Sequence, residues 1–222
     1  MGDLPRDRVN PAQPFMHTGV DYAGPVFIQT SRSRGHSKAL HIEVVSDYTA
    51  DSFLATLRRF TSCQGLCTDL YSDCGTNFIG ADKQLRDFFR ASSSASLTSL
   101  ASAISNDNIR WHFNPPSAPH FGGLWEATVK STKHHLRRVI GDSTLIYEEM
   151  STFLTQVETC LNSRPLHPLF DDPDDVSALT PGHLLIGSTL IAISEPSLTK
   201  TVESSLSRWQ HLQKMRDHFW QR

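Results

Sequence analysis

The stretch CTDLYSDCGTNFIGADKQLRDFF, from Cys67 to Phe89, decides the fold class of this chain. Its first part, CTDLYSD, predicts a short strand that ends on Asp73. Gly75 then permits a turn, and the apolar spacing from Ile79 onward predicts a helix. Taken alone, Asp73 is typical of a turn, because Asp-x-Gly is common turn chemistry. A strand followed at once by a helix favours an α/β fold.

The residues upstream of this stretch predict two strands and a helix. Residues 17–30, HTGVDYAGPVFIQT, are predicted as one strand that Gly24-Pro25 interrupts. Residues 39–46, ALHIEVVS, are predicted as a second strand because apolar and polar residues alternate along them. Thr49 fits the N-cap of a helix, and Gly65 fits the position that closes this helix.

The residues downstream predict one more strand and several helices. The Ser-rich residues 91–108 fit a soft helix or a loose insert, and IRWHF, residues 109–113, fits a strand. The prolines and glycines of residues 114–123, NPPSAPHFGG, predict an irregular loop. Further helices are predicted over Trp125–Ile140, Leu145–Leu161 and the basic aromatic tail 207–222. Strands that alternate with helices in this order predict a sheet with helices packed on it.

Length, composition and charge narrow the classes of protein. The chain has 222 residues, of which 38% are hydrophobic, so it is long enough for one domain with extensions. The formal net charge of −2 gives no bulk basic footprint for nucleic acid. The charge is unevenly spread, because a basic segment, 127–140, precedes an acidic one, 141–180. A basic block beside an acidic block indicates that one face meets an anion.

The cysteines and the hydropathy pattern indicate in which cellular compartment the protein is expected. The four cysteines form no Cys-x-x-Cys pair, which favours reduced thiols in an intracellular protein. No apolar run is long enough to span a bilayer, and no secretory signal peptide is seen. We therefore expect no membrane partner.

Three acids lie at the ends of predicted elements or inside a strand, and only folding brings them together. Asp21 lies in the first strand, Asp73 ends the third, and Glu126 begins the helix after the glycine-rich loop. An unpaired carboxylate in a half-buried strand is costly unless it is paired or binds metal. Glu126 alone fits an ordinary first-turn acid that the helix dipole favours. On one shared sheet edge, the three acids predict a hard-oxygen site for Mg²⁺ or Mn²⁺.

The predicted helix after Glu126 carries a stripe of cations on the same face. At 3.6 residues per turn, Lys130, Lys133 and Arg137 fall within roughly 40° of Glu126 around the helix axis. Such a stripe is usually a solvated charged face. A metal-bound carboxylate beside a cationic track also suits a polyanionic backbone whose reacting phosphate lies at the metal end.

Several motifs together resemble the integrase catalytic core of retroelements, and most closely that of BEL/Pao long-terminal-repeat retrotransposons. These motifs are GVDYAGP, ALHIEVVSD, YSDCGTNFIGA, RWHFNPPSAPHFGGLWEATVKSTK, LNSRPL and LTPGHLLIG. The similarity runs from about Pro11 to Gly187, and the combination of motifs is specific although no single motif is. The resemblance implies a ribonuclease H-like fold, in which a mixed sheet is flanked by helices.

The resemblance also implies the site and its chemistry. It puts Asp21, Asp73 and Glu126 in an Asp-Asp-Glu triad that holds two Mg²⁺ or Mn²⁺ ions, with Asp21 bridging both. The nucleic-acid-binding residues are then expected to be Asn77, Lys130, Lys133 and Arg137. The implied reactions are the trimming of the element's DNA ends and their transfer into target DNA. A polynucleotidyl transferase of this kind works as a homo-oligomer, and in the nucleus when it acts on chromosomal DNA.

The resemblance predicts a division of the chain and exposes two departures from the family. The division is an extended N-terminal arm over residues 1–14, the catalytic core over residues 15–165, and a C-terminal extension with a linker helix over residues 166–222.

One strand of the opening meander is expected to be missing, because only TSRSRGHSK separates the first two predicted strands. Cys74 stands where the family usually has Asn, so a weak thiol donor replaces an amide that could lock the turn.

Three functions are compatible with the sequence. The first is a retroelement integrase core that is a divalent-metal-dependent enzyme. The second is a degenerate or domesticated integrase-like domain that binds DNA or protein without catalysis, which the missing strand and Cys74 favour. The third is a related ribonuclease H-like nuclease, against which Lys130 and Lys133 argue.

Overall fold

A five-stranded sheet lies at the centre of the structure, a computed structural model that describes residues 12–22, 26–31, 39–94, 109–115, 119–169, 177–190 and 195–221. The strands are β1 (His17–Tyr22), β2 (Val26–Ser31), β3 (Leu40–Val44), β4 (Asp69–Ser72) and β5 (Arg110–Phe113). Their spatial order is β3-β2-β1-β4-β5. The first three strands form an antiparallel meander, and β4 and β5 continue the sheet in parallel with β1.

The opening meander has three strands, so the strand that was expected to be missing is present. Residues 17–30, predicted as one interrupted strand, supply both β1 and β2, and Tyr22 pairs with Phe27. Because β2 pairs with β1 in antiparallel, these residues form two strands rather than one. Glycine and proline are strong turn residues, so Gly24-Pro25 in the sequence fits a division into two strands as readily as an interruption within one strand.

Helices follow the strands nearly as predicted. They are α1 (Ala50–Gln64), α2 (Thr76–Ser94), α3 (Pro119–Ile140), α4 (Tyr147–Asn162), α5 (Pro181–Ile186) and α6 (Arg208–Trp220). A short ribbon pairs β6 (His167–Pro168) with β7 (Ala178–Leu179). The Thr49 hydroxyl accepts the N–H of Ser52 at 3.2 Å and so caps α1, while Gly65 ends this helix at φ +88°. Most of the Ser-rich insert, residues 95–108, lies outside the described residues.

Helix α3 begins at Pro119, six residues earlier than predicted. The prediction of an irregular loop is therefore wrong for residues 119–123. Proline fits the first turn of a helix, because its missing N–H has no partner there, and each glycine inside a helix costs only about 1 kcal/mol. Glu126 consequently lies about two turns inside the helix rather than at its start, so the helix dipole does not explain it.

Helices cover both faces of the sheet and bury a separate core on each. The first core joins β1 and β4 to α1 and α2, and its fully buried side chains include Val20, Leu70, Phe53 and Phe78. The second core joins β3 to α3, α4 and α6, and its buried side chains include Leu40, Ile42, Val129, Phe153 and Leu212. Three layers of this kind hold the sheet between two sets of helices.

The C-terminal helix α6, predicted as a linker helix, packs on α3 and α4. Leu212, Met215 and Phe219 are buried in the second core. At the start of α6, the guanidinium of Arg208 donates to Glu149 of α4, and this bond lowers the pKa of the Glu149 carboxyl to about 2. Among the described residues, no helix is both long and apolar enough to cross a membrane.

Side chains of α4 cover the edge strand β3. Asn162 accepts the N–H of Leu40 at 2.9 Å and donates to the carbonyl of Leu40 at 2.8 Å. Glu158 accepts the N–H of Ile42 at 2.8 Å. Unpaired backbone groups on an edge strand invite pairing with other chains, so this cover protects the edge. The asparagine of the LNSRPL motif therefore has a structural role.

His41 lies beside this cover, between two carboxylates. Its Nε2 lies 3.0 Å from Glu43 and its Nδ1 lies 3.2 Å from Glu158. Burial on its own lowers the pKa of an imidazole. The bonds to Glu158 and Glu43 outweigh that effect and raise the pKa of His41 to about 9. The charged imidazolium therefore links β3 to α4 at neutral pH.

We predict that Asn162→Ala lowers the free energy of unfolding by about 2–4 kcal/mol, because it leaves two buried backbone groups without partners. Urea unfolding followed by circular dichroism measures this loss. Thr155→Ala, on the exposed face of the same helix, is the matched control and should change stability by less than about 0.5 kcal/mol. Equal stabilities for the two variants would show that Asn162 does not hold the edge strand.

We also predict a pH dependence that originates at His41. Because the folded pKa of about 9 exceeds the ordinary value of 6.5, the stabilisation is complete below about pH 6.5 and is lost as pH rises through 9. Between these values, wild type should lose about 3 kcal/mol more than His41→Gln in urea unfolding. The exposed His167→Gln is the control and should keep the wild-type profile. A wild-type profile in His41→Gln contradicts the assignment.

Candidate active site

Two of the predicted metal ligands lie on neighbouring segments of the sheet, Asp21 in β1 and Asp73 directly after β4. The parallel strands β1 and β4 pair His17 with Asp69 and Gly19 with Tyr71. Two residues further along each strand, the same register sets Asp21 opposite Asp73, which directly follows β4. Neighbouring strands lie about 4.8 Å apart, and side chains two residues apart share a face. The two carboxylates therefore start from adjacent backbone positions on one face of the sheet.

That face is the one covered by α3. In an antiparallel pair, residues directly opposite each other share a face. Asp21 lies opposite Ile28, which lies opposite Ile42, and Ile42 is buried in the core beneath α3 and α4. A side chain of α3, that of Lys133, reaches Asp21 directly.

Asp21 is half-buried and has two hydrogen-bond donors. Lys133 Nζ donates to Oδ2 at 2.8 Å, and the N–H of Tyr22 donates to Oδ1 at 2.7 Å. The Asp21 and Lys133 side chains are 29% and 26% exposed. A nearby cation and a backbone donor offset the cost of removing the carboxylate from water. This pairing explains how the strand tolerates an acid among apolar residues.

Asp73 is exposed and fixes the turn that leads into α2. Its Oδ1 accepts the N–H of Gly75 at 2.9 Å, and the carbonyl of Gly75 accepts the N–H of Ile79 at 3.0 Å. A Cβ on Gly75 would lie 2.6 Å from Asn77 Oδ1 and 3.0 Å from Asp73 Oδ1. A larger residue here would displace one of these side chains, so glycine lets the Asp73 carboxylate and the Asn77 amide approach the same point.

Cys74 ties the ends of two strands together. Its thiol donates to the carbonyl of Asn114 at 3.3 Å, and the N–H of Asn114 donates to the carbonyl of Ser72 at 2.8 Å. The expectation that Cys74 weakens the turn is offset by these bonds, because the thiol donor has a partner and Asp73 itself locks the turn. The segment that carries Asp73 therefore stays hydrogen-bonded to the end of β5 with a cysteine at position 74.

The third predicted ligand, Glu126, lies on α3, and its side chain is outside the described part of the chain. It precedes Lys133 by seven residues, which is about two turns, so both positions occupy nearly the same face of the helix. Lys133 reaches Asp21 from that face. The register of β1 and β4 thus sets the backbone of Asp21 beside that of Asp73, and the site formed by these two residues and Glu126 stays a prediction.

The predicted DNA-binding residues have different environments. Lys130 and Arg137 are exposed on α3, whereas Lys133 turns inward to Asp21. The pKa of Tyr22 is raised by burial, and the nearby Asn77 side chain offsets part of that rise. Asn77 therefore lies near the end of β1 and close to the turn of Asp73.

A buried carboxylate that sequence reasoning missed holds three strands together at the other end of this face. Asp69 of β4 is 2% exposed. Its partners lie on β1, on β5 and beside it in the chain: His17 at 3.0 Å, Arg110 at 2.9 Å, His112 at 2.7 Å and Thr68 at 3.0 Å. Although burial opposes ionisation, these donors lower the pKa of Asp69. Its alternation with Tyr71 and Asp73 was the available signal, since all three share a face.

The donor set at Asp21 and Asp73 suits a hard divalent cation. Carboxylate oxygens are the ligands that Mg²⁺ and Mn²⁺ prefer, and Asp73 is exposed. Among the side chains that the structure describes, no group of three or more His, Cys, Asp or Glu residues is arranged to hold a metal ion. A complete metal centre would therefore need the Glu126 side chain or another ligand besides the two aspartates.

Comparison with known proteins identifies the fold. No protein-family model matches the chain, and no curated protein matches it in sequence. The chain is similar to a chain of the simian T-cell lymphotropic virus intasome in complex with the PP2A regulatory subunit B56 gamma, with a TM-score of 0.51 and 16% identity. That likeness covers 91% of this chain and 66% of the other, so this chain spans about two thirds of its length.

A second solved structure is the HTLV-2 integrase catalytic core domain in complex with magnesium, in a trimeric form. The chain is 15% identical to it with a TM-score of 0.47, over 79% of this chain and 99% of that one. At such low identity, the likeness to these structures is one of fold. The predicted ribonuclease H-like mixed sheet flanked by helices is confirmed by the strand order and by the first of these likenesses.

We predict that Asp69→Asn lowers the free energy of unfolding at pH 7 by about 1–3 kcal/mol, because its charge-assisted bonds are lost. Since the folded pKa of Asp69 is lowered, wild type keeps this stabilisation above the ordinary value of about 4 and loses it as pH falls further. Urea unfolding at pH 7 and at pH 3 should therefore show a gap that narrows in acid. Asp87→Asn, at a position that is exposed on α2, is the control. A gap of constant size contradicts the assignment.

Proposed function

We propose that this chain is an integrase-like catalytic domain that carries out divalent-metal-dependent DNA end processing and strand transfer. The observation that carries the proposal is the alignment of Asp21 with Asp73 at the ends of two parallel strands, beneath a helix that bears cations. Ligand sites in open α/β sheets lie at the carboxyl ends of the strands. The motif combination quoted above further supports a retroelement source of the BEL/Pao type.

The two aspartates, together with Glu126 of α3, would hold the Mg²⁺ or Mn²⁺ ions. When bound, such ions activate the attacking oxygen and stabilise the leaving oxygen of a phosphoryl transfer. The chain itself supplies position and charge: the Gly75 N–H orients Asp73, and the Tyr22 N–H orients Asp21. No side chain needs to form a covalent intermediate.

The DNA backbone would lie along α3, with Asn77 near the reacting end. Lys130 and Arg137 are exposed and can contact phosphates without breaking any bond that the structure describes. In end processing, a water oxygen bonds to phosphorus while the bond to the leaving 3′-oxygen breaks. In strand transfer, the freed 3′-hydroxyl attacks a target phosphate in the same way. Joining two element ends to target DNA would require several copies of the chain, so we also propose a homo-oligomer that acts on chromosomal DNA in the nucleus.

The alternative is a degenerate or domesticated domain that binds DNA or protein without catalysis. In the sequence, this alternative was favoured by the strand that was expected to be missing and by Cys74. The meander is complete, and Cys74 donates a hydrogen bond to Asn114.

The proposal is tested by strand transfer from labelled DNA ends in the presence of Mn²⁺. Asp21→Asn and Asp73→Asn should each lower product at least about 100-fold, because each removes charge from a site that works by positioned charge. Asp87→Asn, which removes a carboxylate from an exposed position of α2, should retain activity. Cleavage without joining would favour a nuclease. DNA binding without either reaction, unchanged by Asp21→Asn, would favour the non-catalytic alternative.

A further inference from the structure

Lys133 differs from its neighbours in the cationic stripe of α3, which comprises Lys130, Lys133 and Arg137. Lys130 lies three residues before it and Arg137 four residues after it, which places both about one turn away. Both neighbours are exposed, whereas the Lys133 side chain is only 26% exposed. Its ammonium lies 2.8 Å from Asp21 Oδ2. One cation of the stripe is therefore turned toward the sheet.

The position of this ammonium sets up a competition for Asp21. A divalent cation that uses Oδ2 of Asp21 needs the same oxygen that Lys133 occupies, and the two positive charges repel each other at close range. The N–H of Tyr22 already donates to the other oxygen, Oδ1. Any tight contact of a cation with this carboxylate therefore works against the Lys133 ammonium.

The same ammonium can be satisfied by a different anion. A lysine carries a compact charge on a flexible four-carbon stem, so it can exchange one anion for another without moving its helix. Lys130 and Arg137 are exposed one turn before and one turn after Lys133, so a phosphate that contacts either of them would lie about one turn from Lys133. Such a phosphate would attract the ammonium outward and leave Oδ2 of Asp21 open.

We propose that Lys133 couples the two binding events, so that a DNA phosphate on α3 releases Asp21 for a divalent cation. The inference rests on the proposed function and adds a specific role for this residue. Coupling between two sites is reciprocal, so the cation must raise the affinity for DNA by the same factor. Lys133 would then restrict cation binding to the DNA-bound protein. It is a positioning residue, because it acts through Asp21.

The first test is calorimetric titration with Mn²⁺ alone. Lys133→Met, which keeps most of the side-chain length without its charge, should bind Mn²⁺ about two- to fivefold more tightly than wild type, given the usual strength of a partly exposed ion pair. Lys133→Arg keeps the charge and should match wild type. Lys130→Met is the matched control on the same stripe, and its effect should stay below about twofold because its charge is exposed and screened.

The second test repeats the titration with a short DNA duplex bound to the protein, after subtraction of Mn²⁺ binding to the duplex alone. The duplex should tighten Mn²⁺ binding in wild type and in the control Lys83→Met, which removes an exposed cation of α2, and its effect should be at least about twofold smaller in Lys133→Met. Equal Mn²⁺ affinities for Lys133→Met and Lys130→Met would overturn the coupling while leaving the proposed function intact. Mn²⁺ binding that Asp21→Asn does not weaken in any variant would overturn both.

Discussion

The buried carboxylate of Asp69 holds three strands at one register, and the candidate site depends on that register. Asp69 accepts bonds from His17 on β1 and from Arg110 and His112 on β5. The same pairing of His17 with Asp69 sets Asp21 opposite Asp73 four residues further along both strands. A slip of one residue would turn every side chain of a strand to the opposite face. One end of the sheet thus fixes the geometry of the other.

The carboxylates at the two ends of this sheet face, Asp69 at one end and Asp21 and Asp73 at the other, are paired differently. At the Asp69 end, a buried carboxylate has several donors and therefore stays ionised. At the Asp21 end, one carboxylate has one cationic partner among the described residues, Lys133, and the other carboxylate is exposed. The first arrangement stabilises the fold, whereas the second leaves oxygen atoms available for a ligand. A carboxylate with several buried donors would not readily exchange them for a metal cation.

Local features of the sequence predicted the local features of the structure. Thr49 and Gly65 bound α1 as expected, and Asp73 follows a strand and precedes a helix. The acid inside the first strand correctly indicated that Asp21 needs a partner. The sequence did not reveal that residues 17–30 form two strands, because a Gly-Pro pair fits both an interruption within one strand and a turn between two strands.

The contacts that sequence reasoning missed are those between distant parts of the chain. Asp69 lies 52 residues from His17 and 43 from His112, and Lys133 lies 112 residues from Asp21. Helical periodicity shows which residues share a face with Lys133, but not what lies across from that face. The stripe therefore predicted a role in DNA binding for Lys133 and gave no sign of its bond to Asp21.

We propose that Asp21 and Asp73 act as one site because β1 and β4 hold them side by side. A double-mutant cycle of Mn²⁺ affinity, with Asp21→Asn, Asp73→Asn and the double variant, tests it most directly. Two ligands of one cation depend on each other, so the double variant should lose little more affinity than either single variant. Losses that simply add, or the absence of any loss, would mean that the two carboxylates do not share a cation.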